Sequence, residues 1–365
     1  MQEVQDIITG EPHIEDAYDG EHGMTAEGVQ KYLGQMISSD STNTKNIEIL
    51  RNKGIGLQNK IVQILSAISA GKFHFEMAII LRNSLLISSI LSSSETWYGL
   101  TLAEIVRLEQ VDEMLWLNIL ECSSSVPRNL IYLELGLLRI RDIIKTRRFM
   151  FLHHILKQNE SSLLYRFFIA QVKYPTYKDW TSQILEDMEE LNIDLEFQDI
   201  SDMSKERFKT IISEKIRNHA FNELLVKKLS RKPEHARGRN IKYEDLNIQE
   251  YLTETESVMS CEEKKWLFKC RTDDIDLKAN FKWKYEQHCC ISCKENIYET
   301  NEHLVLCQKL MGKNELVSYL PDYKDLFGND IDEQIYISRI LKENFRIRKK
   351  IPHTGDIESL DRCGS

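Results

Sequence analysis

The sequence predicts a mainly α-helical protein: a helical bundle, further helices, and a small Cys-Cys-His-Cys knuckle towards the C-terminal end. Three observations predict it. Helix breakers are scarce, with 15 glycines and 6 prolines among 365 residues. Apolar residues recur three and four apart over most of the chain, the spacing of one helix face. One stretch, Cys290-x2-Cys293-x9-His303-x3-Cys307, breaks that pattern with metal-ligand spacing instead.

The elements follow in order. Lys31–Ser38 reads as a short strand-like stretch with a glycine break. Asn43 or Thr44 can cap a helix running towards the Gly54-Ile-Gly56 break, after which Ile61, Ile64, Leu65 and Ile68 share a helix face. Residues 75–91 are apolar on nearly all sides, which predicts a buried helix. Thr101 with Glu104 forms a capping box ahead of Leu108, Val111, Leu115 and Ile119, and Ser123–Pro127 ends that helix. Leu130–Lys157 is helical with a bend at Gly136, and breaks follow near Pro175 and Asp199. After Ser204, the residues Phe208, Ile211, Ile212, Ile216, Ala220 and Leu224 give an amphipathic helix with a basic far side. A last helix spans Asp330–Lys350. The expected organisation is an acidic leader (1–30), a helical bundle (31–160), a helical connector with a basic segment (161–242), the knuckle region with the last helix (243–350) and a tail (351–365).

Charge is unevenly spread. The net charge is −9, yet residues 1–30 alone hold eight acids and no Lys or Arg. The leader therefore reads as flexible, or as a fragment packed against something else. Residues 205–239 carry eleven Lys/Arg against four Glu: Lys205, Arg207, Lys209, Lys215, Arg217, Lys227, Lys228, Arg231, Lys232, Arg237 and Arg239. Such a basic run leaves RNA or DNA open as a partner despite the acidic total. No apolar run approaches the ~20 residues that span a bilayer, and Met1–Asp6 lacks the order of a signal peptide. An intracellular protein, nuclear or cytoplasmic, is expected, with cysteines mostly as thiols or metal ligands.

Zn²⁺ prefers four soft or borderline ligands in a tetrahedron. Cys290 and Cys293 can form a knuckle, and His303 and Cys307, four apart, share one helix face. Thr300 can cap that turn, with Leu304 and Leu306 packed beneath it. Three cysteines and a histidine leave no open coordination position, so one structural Zn²⁺ is expected; His288 and Cys289 are competing ligands. Thr272-Asp273-Asp274 lacks the flanking pattern of a polymerase metal pair. His153 and His154 are neighbours on a helix and point about 100° apart. No phosphate loop, nucleophile elbow or His-Glu-x-x-His motif is present, and no small-molecule substrate is expected. Arg139, Arg141, Lys145, Arg147 and Arg148, with Phe149 and Phe151, allow either phosphate binding with stacking, or a solvated face over a core.

The order of short segments resembles the carboxy-terminal half of a non-LTR (LINE-type) retrotransposon reverse transcriptase. Lys31-Tyr-Leu-Gly34 is similar to the strand after the palm. Asn46–Gly56, Arg82-Asn-Ser84, Glu95–Thr101, Glu104–Glu109 and Leu130–Gly136 resemble the thumb helices. Arg147-Arg148, Phe168–Gln171, Asp179-Trp180 and Met203-Ser-Lys205 continue the order. Cys290-Ile-Ser-Cys293, Glu302-His-Leu304 and Cys307 resemble the family's terminal zinc knuckle, and Tyr323–Phe327 through Arg348-Lys-Lys350 its tail. The resemblance covers about residues 25–350 and implies a polymerase-thumb-like bundle that binds a template–primer-like RNA or DNA, with a separate palm as a further partner. The family's Mg²⁺-binding aspartates lie upstream of the Lys-Tyr-Leu-Gly segment, and the residues before it here hold no such motif. Polymerase activity is therefore not expected of this chain, unless an upstream palm is encoded. The alternative is a helical protein-interaction module without nucleic-acid affinity.

Overall fold

A computed structural model describes residues 29–32, 35–38, 43–69, 75–176, 179–229, 241–253, 259–277, 289–293, 295, 297–318, 322–328 and 330–350. Most of the acidic leader, the cations Arg231, Lys232, Arg237 and Arg239, His288 and the tail lie outside them. The described chain is mainly helical.

The strand-like start is an antiparallel pair, β1 (Val29–Tyr32) and β2 (Gln35–Ser38), in the register Val29↔Ser38 to Tyr32↔Gln35. Helix α1 (Thr44–Ser69) follows. It does not break at Gly54 and Gly56. Gly54 is instead where α1 meets α3 (Leu102–Leu120): a Cβ there would stand 2.9 Å from Val111 Cγ1. Ile61 and Leu65 are buried as expected, but Ile68, near the end of α1, is 52% exposed.

Helix α2 (Phe75–Leu81) continues through a π-helical turn (Arg82–Ile87) into Ser88–Ile90. Burial is one-sided rather than complete, since Ile80 is 63% exposed. The π turn carries Arg82, whose Nε and Nη2 each donate at 2.6 Å to the buried Asp112 of α3, while the Tyr132 hydroxyl donates to the same carboxylate at 3.2 Å. A buried charge needs such pairing, because the unpaired ion costs several kcal/mol.

Helix α3 begins with the expected box: Thr101 Oγ1 accepts from the Glu104 amide, and Glu104 accepts from the Thr101 amide. Leu108, Val111, Leu115 and Ile119 all face the core. The stretch 130–157 is two helices rather than one bent helix. Helix α4 (Arg128–Leu135) stops at Gly136, which adopts φ +62°, and α5 (Ile140–Leu156) starts after Arg139. The reason is a close approach. Leu135 forms an antiparallel bridge with Ile248, the Gln249 amide donates to the Glu134 carbonyl at 2.9 Å, and a Cβ on Gly136 would lie 2.3 Å from the backbone of Asn247 and Ile248.

Helices α6 (Leu163–Lys173), α7 (Trp180–Glu190), α8 (Phe197–Asp202) and α9 (Lys205–Leu229) follow. Asp199, expected at a break, lies inside α8 and accepts from the Glu196 amide at 3.1 Å. Phe208, Ile212, Ile216, Ala220 and Leu224 form the buried line of α9. Then come α10 (Cys261–Arg271), α11 (Asn301–Leu306), α12 (Gln308–Met311) and α13 (Ile331–Lys349), the last capped by Asp330.

Two apolar cores result. The larger joins α1–α4, the first half of α5 and the end of α9 with residues from 246 to 341. The smaller joins the second half of α5, α6–α8 and the first half of α9. Helices α5 and α9 pass through both.

Two glycines test this account with opposite signs. Gly136→Ala places a Cβ against rigid backbone at a left-handed φ and is expected to destabilise by at least about 2 kcal/mol. Gly56→Ala sits in an exposed helix interior with nothing within 4 Å and is expected to stabilise by roughly 0.5–1 kcal/mol. Urea midpoints of the two variants measure both.

Candidate metal centre and basic surface

Residues 289–307 bring four ligands together. Cys289 forms an antiparallel bridge with Tyr298, and the Cys290 amide donates to the Ile297 carbonyl at 2.8 Å. This turns the adjacent Cys290 to the interior, where it is 3% exposed. The Ser292 amide donates to Cys290 Sγ at 3.4 Å, a contact that steadies a thiolate in a knuckle. Thr300 caps α11 as expected, its Oγ1 accepting from the His303 amide at 3.1 Å. One turn then places His303 and Cys307 on the same side, with His303 Nε2 3.4 Å from Cys293 Sγ. Leu304 and Val305 pack beneath the turn, whereas Leu306, expected there, is 39% exposed.

The donor atoms of Cys290, Cys293, His303 and Cys307 all lie within 4.8 Å of one another. Sulfurs bound to one tetrahedral Zn²⁺ at about 2.3 Å would stand roughly 3.8 Å apart, so the cluster is compatible with a zinc site. Cys289 is disulfide-bonded and stands outside it, while Cys122, Cys261, Cys270, Cys290, Cys293 and Cys307 are free.

Charge in the cluster is shared unequally. Hydrogen bonding from Cys307 holds the Cys290 thiol far below its usual range, to about 3, with His303 and nearby amides adding to the effect against burial. The same hydrogen bond pushes Cys307 up, and burial pushes Cys293 up. His303 is raised by its hydrogen bond to Cys290. One thiolate facing a proton-rich pair is a set of groups that a divalent cation would complete by displacing protons.

The cluster is anchored from behind. Buried Glu299, one residue before the cap, accepts two hydrogen bonds from Arg348 of α13 at 2.7 and 2.6 Å. Asn301 donates to the Cys270 carbonyl and to Asp273 Oδ1, both at 2.9 Å. Asn344 donates to the Leu304 carbonyl at 2.8 Å. Asp273 is thus tied to α11, while Asp274 accepts from the Ser123 amide at 2.9 Å and from its hydroxyl. The two aspartates serve different partners. His153 and His154 also diverge: His153 bonds the Met203 carbonyl at 3.1 Å and stacks on Phe208, while His154 is exposed beside Phe151.

The cations of α5 are not a solvated face. Arg139 pairs with Asp142 and Glu223, Arg141 with Glu109, Lys145 with Glu190 and Arg148 with Asp187. Phe149 is buried in the smaller core and Phe151 packs against its edge. The basic run of α9 is similarly divided. Lys205, Arg207 and Lys209 are exposed on its first turns. Lys215 donates to the Asn192 carbonyl at 3.0 Å, Arg217 to the Leu246 carbonyl, and Lys227 pairs with Glu223. Lys228 is buried. It donates to the Ile241 carbonyl, sits 5.0 Å from the centre of the Tyr243 ring, and is lowered by burial to about 8. Lys205 and Lys227 stand roughly 30 Å apart along the helix axis. The described cations therefore do not form one path, and Lys228 is removed from the candidate interface. The partners Glu299 and Arg348 carried no sequence signal beyond being ordinary charged residues.

No helix among the described residues is long and apolar enough to cross a membrane. Compared with protein-family models, curated proteins and solved structures, the chain matches none.

The anchor predicts a double-mutant result. Arg348→Met leaves the Glu299 carboxylate buried without its partner and is expected to cost about 3–5 kcal/mol. Arg348→Met combined with Glu299→Leu is expected to recover most of that loss. Chemical denaturation of the three variants reads the coupling.

Proposed function

We propose that the chain is a zinc-bound, helical nucleic-acid-binding module, the non-polymerising portion of a reverse transcriptase of the non-LTR retrotransposon type that its residue order resembles. The observation that carries the reading is the convergence of Cys290, Cys293, His303 and Cys307 from two separate segments. A four-ligand thiolate and imidazole set suits structural Zn²⁺, which substitutes for a core that a short segment cannot build. Nucleic acid enters through the exposed Lys205, Arg207 and Lys209, which no carboxylate among the described residues pairs with. Arg231, Lys232, Arg237 and Arg239, outside the described residues, are proposed as further phosphate contacts. RNA or DNA of template–primer type is the proposed partner, with a separate palm as a further one.

A second reading is favoured by one observation. Helix α6 and its C-cap Tyr174 leave Leu163, Phe167 and Tyr174 exposed at 82, 61 and 67%, an apolar stripe that suits a protein partner. Binding measurements separate the two.

Metal analysis of freshly reduced protein is expected to return about one Zn²⁺ per chain, and Cys293→Ser to lose it. Cys293 and Cys307 are raised, so both are protonated at neutral pH and must release protons to the metal. Affinity therefore falls as pH falls, by roughly tenfold per unit for each proton displaced. Absence of zinc in the reduced protein would remove the basis of this reading.

For nucleic acid, the triple variant K205A/R207A/K209A is expected to weaken binding and to reduce the log–log salt slope on single strands by about 2, at ~0.7 per phosphate contact. Lys228→Ala is expected to leave that slope unchanged while lowering stability, because its ammonium is buried. If neither parent nor variants bind at low salt, the protein-docking reading takes its place.

A further inference from the structure

Four of the five cations at positions 139–148 of α5 and its cap are held by carboxylates. Arg147 is different. Its half-buried guanidinium donates to the Leu91 carbonyl and, at 3.4 Å, to Ser94 Oγ, and no carboxylate lies within ion-pair distance of it among the described residues. Arginine has five N–H donors, so most of its hydrogen-bonding capacity is left over. Desolvating a guanidinium without an acidic partner is costly unless an anion completes it.

Arg147 lines a cavity of about 570 Å³ between α5, the turn at Ser94–Thr96 and the start of α9. That volume lies within the roughly 300–1,000 Å³ of small-ligand pockets. Lys157 and Lys205 line the same cavity, against a single acid, Glu95. Between the cations lies an aromatic ledge. Phe151 and His154 stack with centroids 6.1 Å apart and planes 19° apart, and both face the cavity. The spacing explains the arrangement: residues 147, 151 and 154 fall at i, i+4 and i+7, one face of a helix. Lys157 follows on the next turn, and Lys205 arrives across the gap as the first residue of α9.

Cations flanking stacked rings are what an unpaired strand requires. Phosphates take the charges, and a base lays its face on the rings. A duplex keeps its base faces inside its own stack and offers the ledge nothing. We propose that this cavity binds a single-stranded nucleic-acid segment, with a base on the Phe151–His154 ledge and flanking phosphates on Arg147, Lys157 and Lys205. The inference rests on the nucleic-acid reading above and adds the strand type and the place.

The test uses the full zinc-loaded chain with three probes: oligothymidylate, an abasic strand of equal length and a hairpin duplex. The parent is expected to prefer oligothymidylate over both others by about tenfold, the size of one stacked base. Phe151→Leu keeps an apolar side chain against Trp180 but removes the ring, and should abolish the preference. His154→Ala, at an exposed position, should reduce it and keeps the test valid if Phe151→Leu fails to fold. Arg147→Met should weaken every phosphate-bearing probe. If the parent binds all three probes alike, or if its preference survives both ring variants, the cavity proposal is overturned while the nucleic-acid reading stands. No binding of any probe at low salt overturns both.

Discussion

The rest of the structure depends on one buried carboxylate. Glu134, the penultimate residue of α4, is 0% exposed. It accepts hydrogen bonds from Tyr243 and Tyr251 hydroxyls at 2.7 Å each, and from Arg271 Nε at 3.3 Å. Arg271, at the end of α10, also donates to the Leu326 carbonyl and to Gln334. Burial works against the arginine's charge, and Glu134 with the two tyrosines more than offsets it, while burial keeps both tyrosines protonated as donors. A carboxylate and a guanidinium in such a place contribute little net stability, since each costs several kcal/mol to desolvate. What they supply is register. An apolar surface tolerates sliding, whereas this network is satisfied in one arrangement of α4, segment 243–251, α10 and the start of α13. Gly136, two residues on, is the steric counterpart: its missing Cβ lets the 247–249 backbone approach.

The same network positions half of the candidate metal centre. Arg271 is preceded by Cys270, whose carbonyl accepts from Asn301, the first residue of α11. Glu299–Arg348 and Asn344–Leu304 fix α11 from the other side. His303 and Cys307 are thus held by the helical body before any metal binds. Cys290 and Cys293 come from the preceding segment, which meets this one through a backbone hydrogen bond from Cys290 to Ile297 and the Cys289–Tyr298 bridge. A metal ion would join the two segments through one donor set. Protons are shared unequally across it, because Cys307, His303 and nearby amides all direct hydrogen bonds at Cys290.

Periodicity made most helices legible, because burial of one face decides them. The capping box at Thr101, the buried line of α9 and the last helix all lie where their residues place them. The Cys290, Cys293, His303 and Cys307 cluster was legible for a different reason: its members lie close together in the chain, at the short spacings that metal coordination would require. Glycines were not. Gly54 and Gly56 read as a break, but a glycine that admits a neighbouring helix looks the same in sequence as one that ends its own. Gly136 read as a bend and is a termination, because its partner strand is more than a hundred residues away.

Charges were the least legible. Arg139, Arg141, Lys145 and Arg148 are indistinguishable in sequence from Arg147, yet each of the four meets a carboxylate from α3, α7, α9 or its own first turn. A cation's availability is set by what the fold places opposite it, which is tertiary information. The consequence reaches beyond bookkeeping of surface charge. Because α5 carries these pairs through both cores, its arginines fix the helix axially and rotationally, and so fix which face Arg147, Phe151 and His154 present. The cavity lies beside the smaller core and the cysteine cluster belongs to the larger one. Helices α5 and α9 are the elements common to both. Were the proposed strand site and the candidate metal site both occupied, displacement of those two helices would be one route between them, and the ion pairs of α5 oppose it. The proposed strand site and the candidate metal site thus stand on a shared frame, each beside a different core.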